Sequence, residues 1–196
     1  MISFVRHGET AHNREGRLQG RADLELSARG ADQVVRLARR FAAGSLTTVF
    51  TSPLRRARQT ADALAAVCKA AVEVDERLIE LDYGDWDGRA LADIPADAWS
   101  AWRADPDFAP PGGESLVAVT TRVADFCRER LAAGGAVAAV SHVSPIKAAV
   151  AWALGVDEFA TWRMQLGLAT VSTIGARPDG NAYLLTFNDG AHLEGD

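Results

Sequence analysis

Ile2-Ser3-Phe4-Val5-Arg6-His7-Gly8-Glu9-Thr10 is the stretch on which the fold turns. A short apolar run, Ile2 to Val5, gives way to a cation and an imidazole side by side, and then to a glycine. That pattern reads as a buried strand delivering two polar side chains to the rim of a sheet. The same event recurs downstream, where the run 47–51 ends at Ser52 and the run 136–141 ends at Ser141-His142. In an open parallel sheet, ligands sit beyond the carboxyl ends of the strands, so these three polar ends are expected to converge.

Further apolar runs at 72–75, 169–174 and 183–187 alternate with segments of helical period. The expectation is α/β: a single three-layer α/β/α domain over residues 1–196, with a mostly parallel sheet and helices on both faces. One helix should start at Ser27, with Val34, Leu37, Ala38 and Phe41 at helical spacing. A second should follow Ser52-Pro53, and others should span about 115–133 and 145–154. A small helical or loop cap is expected near 89–113, where the Pro/Gly segment 105–113 reads as a loop.

Composition narrows the function classes. The chain has 196 residues, 48% of them hydrophobic and 24% charged, enough for a two-sided core. No stretch approaches the roughly 18 apolar residues of a membrane span, so no membrane partner is expected. Candidate chemistry starting at Arg6 leaves no room for a secretory leader. Cys68 and Cys127 fall in helical patterns and read as buried thiols of a cytoplasmic protein. The net charge of −5 hides an asymmetry: residues 1–58 carry 11 arginines against 5 acids. Either the basic first third serves an anionic ligand, or an Arg-rich chain (19 Arg, 2 Lys) spreads its arginines over solvated helix faces. The acidic whole argues against nucleic acid as a partner.

The converging ends suggest what such a ligand is. Ser52-Pro53 and Ser144-Pro145 each look like an N-cap followed by proline at the first helical position, which would aim two helix N-termini at the crevice. Arg55 would lie in the first turn and reach inward. Arg6, Arg55, His7, His142 and free amides make a pocket for a compact dianion, with phosphate the obvious one. Glu80, after the short apolar stretch Leu78-Ile79, is a candidate proton donor and acceptor. The acids after it, Asp82, Asp85 and Asp87, depart from a calcium-loop pattern at Gly84 and Arg89 and read as solvated. His12 and His192 have no ligand-like neighbours and read as surface residues. There is no Cys-x5-Arg loop and no Gly-x4-Gly-Lys-Ser/Thr loop.

These residues resemble the histidine phosphatase superfamily, which includes phosphoglycerate mutase-like proteins. Arg6-His7-Gly8-Glu9-Thr10 resembles its signature, and Asn13 with Leu18-Gln19-Gly20 the loop after it. Ser52-Pro53-Leu54-Arg55-Arg56-Ala57 resembles the second signature, and Glu80 with Gly84, Trp86 and Gly88 the acid/base segment. Gly113-Glu114-Ser115 and Ser141-His142 complete the order. The resemblance implies transfer through a phosphohistidine on His7, with Arg6, Arg55 and His142 holding the phosphoryl oxygens. It implies Glu80 as acid and base, Asn13, Gln19, Gly20 and the Val143 amide around the phosphate, and no cofactor or metal. A small phosphomonoester and inorganic phosphate would be the ligands, and a homodimer is compatible with this reading.

Two departures from the family bear on the reaction. The mutases hold a carboxylate-bearing substrate with basic residues of a long insert, whereas 89–112 is short here and offers only Arg89 and Arg103. That favours water as acceptor, hence a phosphatase, over a mutase-type phosphotransferase or a non-catalytic phospholigand-binding protein. Val143 stands where many members have glycine, narrowing the approach to the amide. The wording Ser141 to Lys147 resembles the α-ribazole phosphatase-like branch. Trp86, Trp99, Trp102 and Phe108 either pack the cap or line the non-phosphate end of the substrate.

Overall fold

The computed structural model describes residues 1–194. Its six strands are β1 (Ile2–Arg6), β2 (Thr48–Thr51), β3 (Ala71–Val74), β4 (Val137–Ser141), β5 (Val171–Ala176) and β6 (Ala182–Asp189). They form one sheet in the order β3-β2-β4-β1-β5-β6. The first four neighbours run parallel, while β5 is antiparallel to β1 and β6 returns antiparallel to β5. The expected mostly parallel sheet is therefore present, closed on one side by an antiparallel hairpin.

Six α-helices accompany the sheet among the described residues: α1 (Ala11–Arg14), α2 (Ala28–Ala38), α3 (Arg55–Cys68), α4 (Ala96–Ala104), α5 (Leu116–Ala133) and α6 (Val143–Leu154). Alternation along β1 explains the layering. Ile2 and Phe4 face a core shared with Val123 and Phe126 of α5 and Ile146 of α6. Val5 faces the opposite core, with Leu37 of α2 and Leu64 of α3. Helices thus cover both faces. None of them among the described residues is long and apolar enough to cross a membrane.

Two helix starts differ from expectation. The α3 helix begins at Arg55, because Leu54 is still extended (φ −71°, ψ 139°). Ser52 and Pro53 therefore belong to the turn, where Ser52 Oγ accepts from the Leu54 amide at 3.4 Å. The α6 helix begins at Val143, directly after an extended His142, so Ser144-Pro145 lies inside its first turn. The expected starts at Ser27 and Ser115 hold: each hydroxyl accepts from an amide three residues on, Gly30 at 3.0 Å and Ala118 at 3.2 Å.

One close approach fixes how the strand hands over to the site. A Cβ on Gly8 would run into the carbonyl of Gly30, and a Cβ on Gly30 into the backbone of Glu9. Only two glycines let α2 lie directly on the segment after β1. Ser27 Oγ fastens the same contact by donating to Glu9 Oε1 at 2.8 Å.

Candidate active site

The register of the sheet brings the three polar ends level. Arg6 pairs with Ser141, and Thr51 with Val140, so His7, Ser52 and His142 leave the sheet together. His7 is 3% exposed and His142 is fully buried, with ring centroids 5.0 Å apart.

The hydrogen bonds define each imidazole. His7 Nδ1 lies 2.7 Å from the carbonyl of Gly8, which can only accept, so Nδ1 carries the proton. The Nε2 lone pair remains and faces Arg56 Nε at 3.3 Å. His142 Nδ1 accepts from the same Arg56 Nε at 3.2 Å, and its Nε2 lies 2.7 Å from Ser52 Oγ. Burial and then the charge of Arg56 push both imidazoles well below their usual value, so both stand neutral.

Arg56 is itself fully buried. Its two terminal nitrogens donate to the carbonyls of Ala22 at 2.7 Å and Gly20 at 2.8 Å. Burial pulls its pKa down to about 10 even though Glu80 and Asp87 oppose the shift. Arg55, expected here from the sequence, points the other way: it is exposed and pairs with Glu25. The reason is the late start of α3. A helical residue advances about 100°, so one position exchanges the inward face for the outward one.

Asp87 is not a solvated acid. Its carboxylate accepts from the amides of Gly20 at 2.8 Å, Arg21 at 2.9 Å and Ala22 at 2.8 Å. It thereby shapes the loop whose carbonyls hold Arg56. Gly20 consequently does not reach the cleft, because its amide is taken by Asp87 and its carbonyl by Arg56. His192 also has a partner, since its Nε2 lies 2.8 Å from the carbonyl of Ala169. His12 is half-buried rather than a free surface residue.

Arg6 lines the cleft, with one terminal nitrogen on the carbonyl of Leu166 at 2.5 Å and its Nε buried without a partner among the described residues. Burial lowers its pKa to about 10. Asn13 Oδ1 accepts from the amide of Thr10 at 3.1 Å, which ties α1 to the end of the signature. Gln19 Oε1 accepts from Thr10 Oγ1 at 2.6 Å, leaving Gln19 Nε2 buried and unpartnered among the described residues. A buried donor without an acceptor costs about 1–3 kcal/mol, which a ligand oxygen would relieve.

Glu80 is 3% exposed and sits across the N-terminus of α6. Its carboxylate accepts from Val143 N at 3.0 Å, Ser144 N at 3.2 Å and its own neighbour Leu81 N at 2.8 Å. The Val143 amide, expected to face phosphate, is thus directed at Glu80 instead. Ser141 Oγ donates to the carbonyl of Leu78 at 2.6 Å and ties the Glu80 segment to the end of β4.

Arg6, His7, Asn13, Gln19 and Glu80 line a cleft of about 370 Å³, and Arg56 and His142 lie behind that lining. Its outer wall is apolar, made by Trp99 and Trp102, by Leu116, and by Trp162 from the turn 158–163. Trp99 and Trp102 stack at 5.5 Å, and Trp162 meets Trp102 edge-on at 5.1 Å. The aromatic cluster divides: Trp86 and Phe108 pack behind, and Trp99 and Trp102 reach the cleft. Sequence reasoning missed Trp162, Arg17 and Lys147, which also line it. The signal for Arg56 was visible in the doubled arginine, and that for Lys147 in its spacing of four from Val143 on α6.

Comparison with known proteins gives the family. Residues 2–189 match the family described as the histidine phosphatase superfamily (branch 1). Phosphoserine phosphatase 1 of Hydrogenobacter thermophilus is 34% identical over 199 residues, covering 98% of this chain and 93% of that protein. A bifunctional protein of Mycobacterium tuberculosis is 34% identical over 202 residues, covering 98% of this chain; the chain spans 54% of that relative's length. The structure of mycobacterial glucosyl-3-phosphoglycerate phosphatase in complex with VO3 superposes with a TM-score of 0.87 at 33% identity, covering 95% of this chain and 98% of that one.

Proposed function

The chain belongs to the histidine phosphatase superfamily, and from that premise we propose that it hydrolyses small phosphomonoesters through a phosphohistidine on His7. The observation that carries the proposal is the Nδ1–H of His7 on the Gly8 carbonyl, which leaves the Nε2 lone pair in a cationic pocket. A neutral imidazole so held is a competent nucleophile at neutral pH.

In the first step His7 Nε2 attacks phosphorus. The N–P bond forms as the ester P–O bond breaks, and the departing alkoxide takes a proton from the Glu80 carboxyl. In the second step water attacks the phosphohistidine, Glu80 takes a proton from it, and the N–P bond breaks to release inorganic phosphate. Arg6 and Arg56 neutralise charge building on the phosphoryl oxygens, with Gln19 Nε2 and Asn13 as further contacts. His142 keeps Arg56 in line from beneath. Each atom transferred is accounted for by these groups and water, so the reaction as proposed uses no metal. The two buried, unpaired thiols Cys68 and Cys127 support a cytoplasmic setting.

Single-turnover hydrolysis of p-nitrophenyl phosphate in EDTA, with acid-quench detection of phosphohistidine, tests this. We expect nitrophenol release and a phosphohistidine that is absent from His7→Ala. Turnover by folded His7→Ala close to that of the wild type would overturn it. Phosphate exchange between two small acids outpacing release of inorganic phosphate would instead favour the mutase reading.

A further inference from the structure

Arg6 and His7 are held by their backbone as well as by their side chains. The turn 166–170, just before β5, takes both of them. Ala169 N donates to the carbonyl of His7 at 3.1 Å, and the carbonyl of Thr170 accepts from Arg6 N at 3.1 Å. The carbonyl of Leu166 accepts from the Arg6 guanidinium at 2.5 Å. Yet the centre of this support has an unfavourable conformation. Ala169 is fully buried and left-handed, with φ +52°, although it carries a β-carbon. A residue stays in that region only where its surroundings over-determine it.

The hold on Ala169 comes from the segment after β6. His192, in the short turn Ala191–Leu193, places Nε2 2.8 Å from the carbonyl of Ala169, which can only accept, so Nε2 carries the proton. Its Nδ1 lone pair then accepts from Arg40 Nη1 at 3.2 Å. Arg40 also donates to the carbonyl of Asp189 at 3.3 Å and pairs with its carboxylate. Burial lowers the pKa of His192 against the opposing pull of the Ala169 carbonyl, so the ring is neutral and its nitrogens keep these opposite roles.

Two hydrogen bonds therefore run in series from His192 through Ala169 to His7. Asn188 braces the other side of the turn, where its Oδ1 accepts from Gly167 N at 2.7 Å. Thr170 Oγ1 closes the turn on the carbonyl of Gly167 at 2.9 Å. The α2 helix thus grips the reacting segment twice, through Gly30 near its start and through Arg40 just past its end. The His7 ring is itself fastened to backbone by Nδ1 on the Gly8 carbonyl, so a shift of that backbone carries Nε2 with it.

We propose that His192 is a positioning residue for the nucleophile: it holds the left-handed turn at Ala169 and so fixes the backbone from which His7 aims Nε2. Its kinetic role rests on the phosphohistidine reading, whereas its hold on Ala169 stands apart from it.

Single-turnover phosphohistidine formation from p-nitrophenyl phosphate tests the role. In His192→Leu, which keeps the bulk and loses the donor, the maximal rate should fall by about fivefold or more. The half-saturating concentration should change by less than about twofold. His192→Gln, whose amide can donate to the same carbonyl, should retain most of the rate. In an Ala169→Gly background the left-handed turn carries no β-carbon and needs no holding. There His192→Leu should cost about twofold or less. Exchange of the Ala169 amide, followed by NMR without substrate, should quicken by about tenfold or more in His192→Leu while the amides of β2 keep their protection. An unchanged Ala169 amide would overturn the proposal whether or not the protein hydrolyses the ester. Equal losses in the two backgrounds would also overturn it, since His192 would then act on the fold at large. A responsive amide in a protein that forms no phosphohistidine would overturn the phosphatase reading and the kinetic role of His192, while the hold on Ala169 stood.

Discussion

Arg56 Nε stands between two imidazoles, 3.3 Å from His7 Nε2 and 3.2 Å from His142 Nδ1, so one guanidinium orients both rings. Its neighbour in sequence, Arg55, is exposed and bound to Glu25. The pair makes a clean contrast. Arg55→Ala should change kcat/KM by no more than about twofold and stability by less than about 1 kcal/mol, as for surface ion pairs. Arg56→Ala should lower kcat/KM by about 10²–10³-fold. It should also cost about 3 kcal/mol in urea denaturation, since buried carbonyls lose their donors. Comparable effects of the two substitutions would contradict the assignment.

Asp87 acts at one remove. Removing its carboxylate strands the amides of residues 20–22 and loosens the carbonyls that hold Arg56. Asp87→Ala should destabilise the fold by about 2 kcal/mol and lower kcat while leaving residual activity. Asp82, which accepts only the Gly84 amide at 2.9 Å among described backbone donors with its Oδ1, should matter less when changed to alanine. Chemical denaturation of both variants, with kcat measured alongside, separates them.

Stability should depend on pH in a stated direction. His7 and His142 have folded pKa values well below 6.5, lowered first by burial and then by Arg56. The unfolded chain therefore binds more protons below pH about 6.5, and stability gained above that value is lost as pH falls toward the folded values. The melting temperature in phosphate-free buffer should fall between about pH 7 and pH 5, with a shallower slope in His142→Gln. A flat profile in the wild type would contradict the neutral pair.

Glu80 has a role that leaving groups can report. Glu80→Gln keeps an acceptor for part of the amide cluster but cannot exchange a proton. Phosphohistidine formation from p-nitrophenyl phosphate should survive better than formation from an alkyl ester, by about tenfold or more. Single-turnover rates on the two esters measure this, and equal losses would remove the acid role.

Much of this was legible because it lies in local pattern. The apolar runs ending at Arg6, Ser52 and Ser141 marked the strands to within two residues, and their convergence followed from parallel pairing. The reversed direction of β5 was not legible, since a buried strand reads the same in either sense. The exchange of Arg55 for Arg56 came from taking Pro53 as the first helical residue, when Leu54 remains extended. Trp162 is a different case: it reaches the cleft from the turn 158–163, and no short window of sequence joins it to His7.

The contact between Gly8 and Gly30 has a consequence for variation rather than for chemistry. Neither residue carries a functional group, yet a single added methyl at either meets backbone that cannot move aside. In a saturation library scored for function, position 30 should therefore be as intolerant as position 7. A glycine of α2 with no chemistry of its own would share the fate of the nucleophile, and a map of lethal substitutions would trace the outline of the backbone as clearly as that of the reacting atoms.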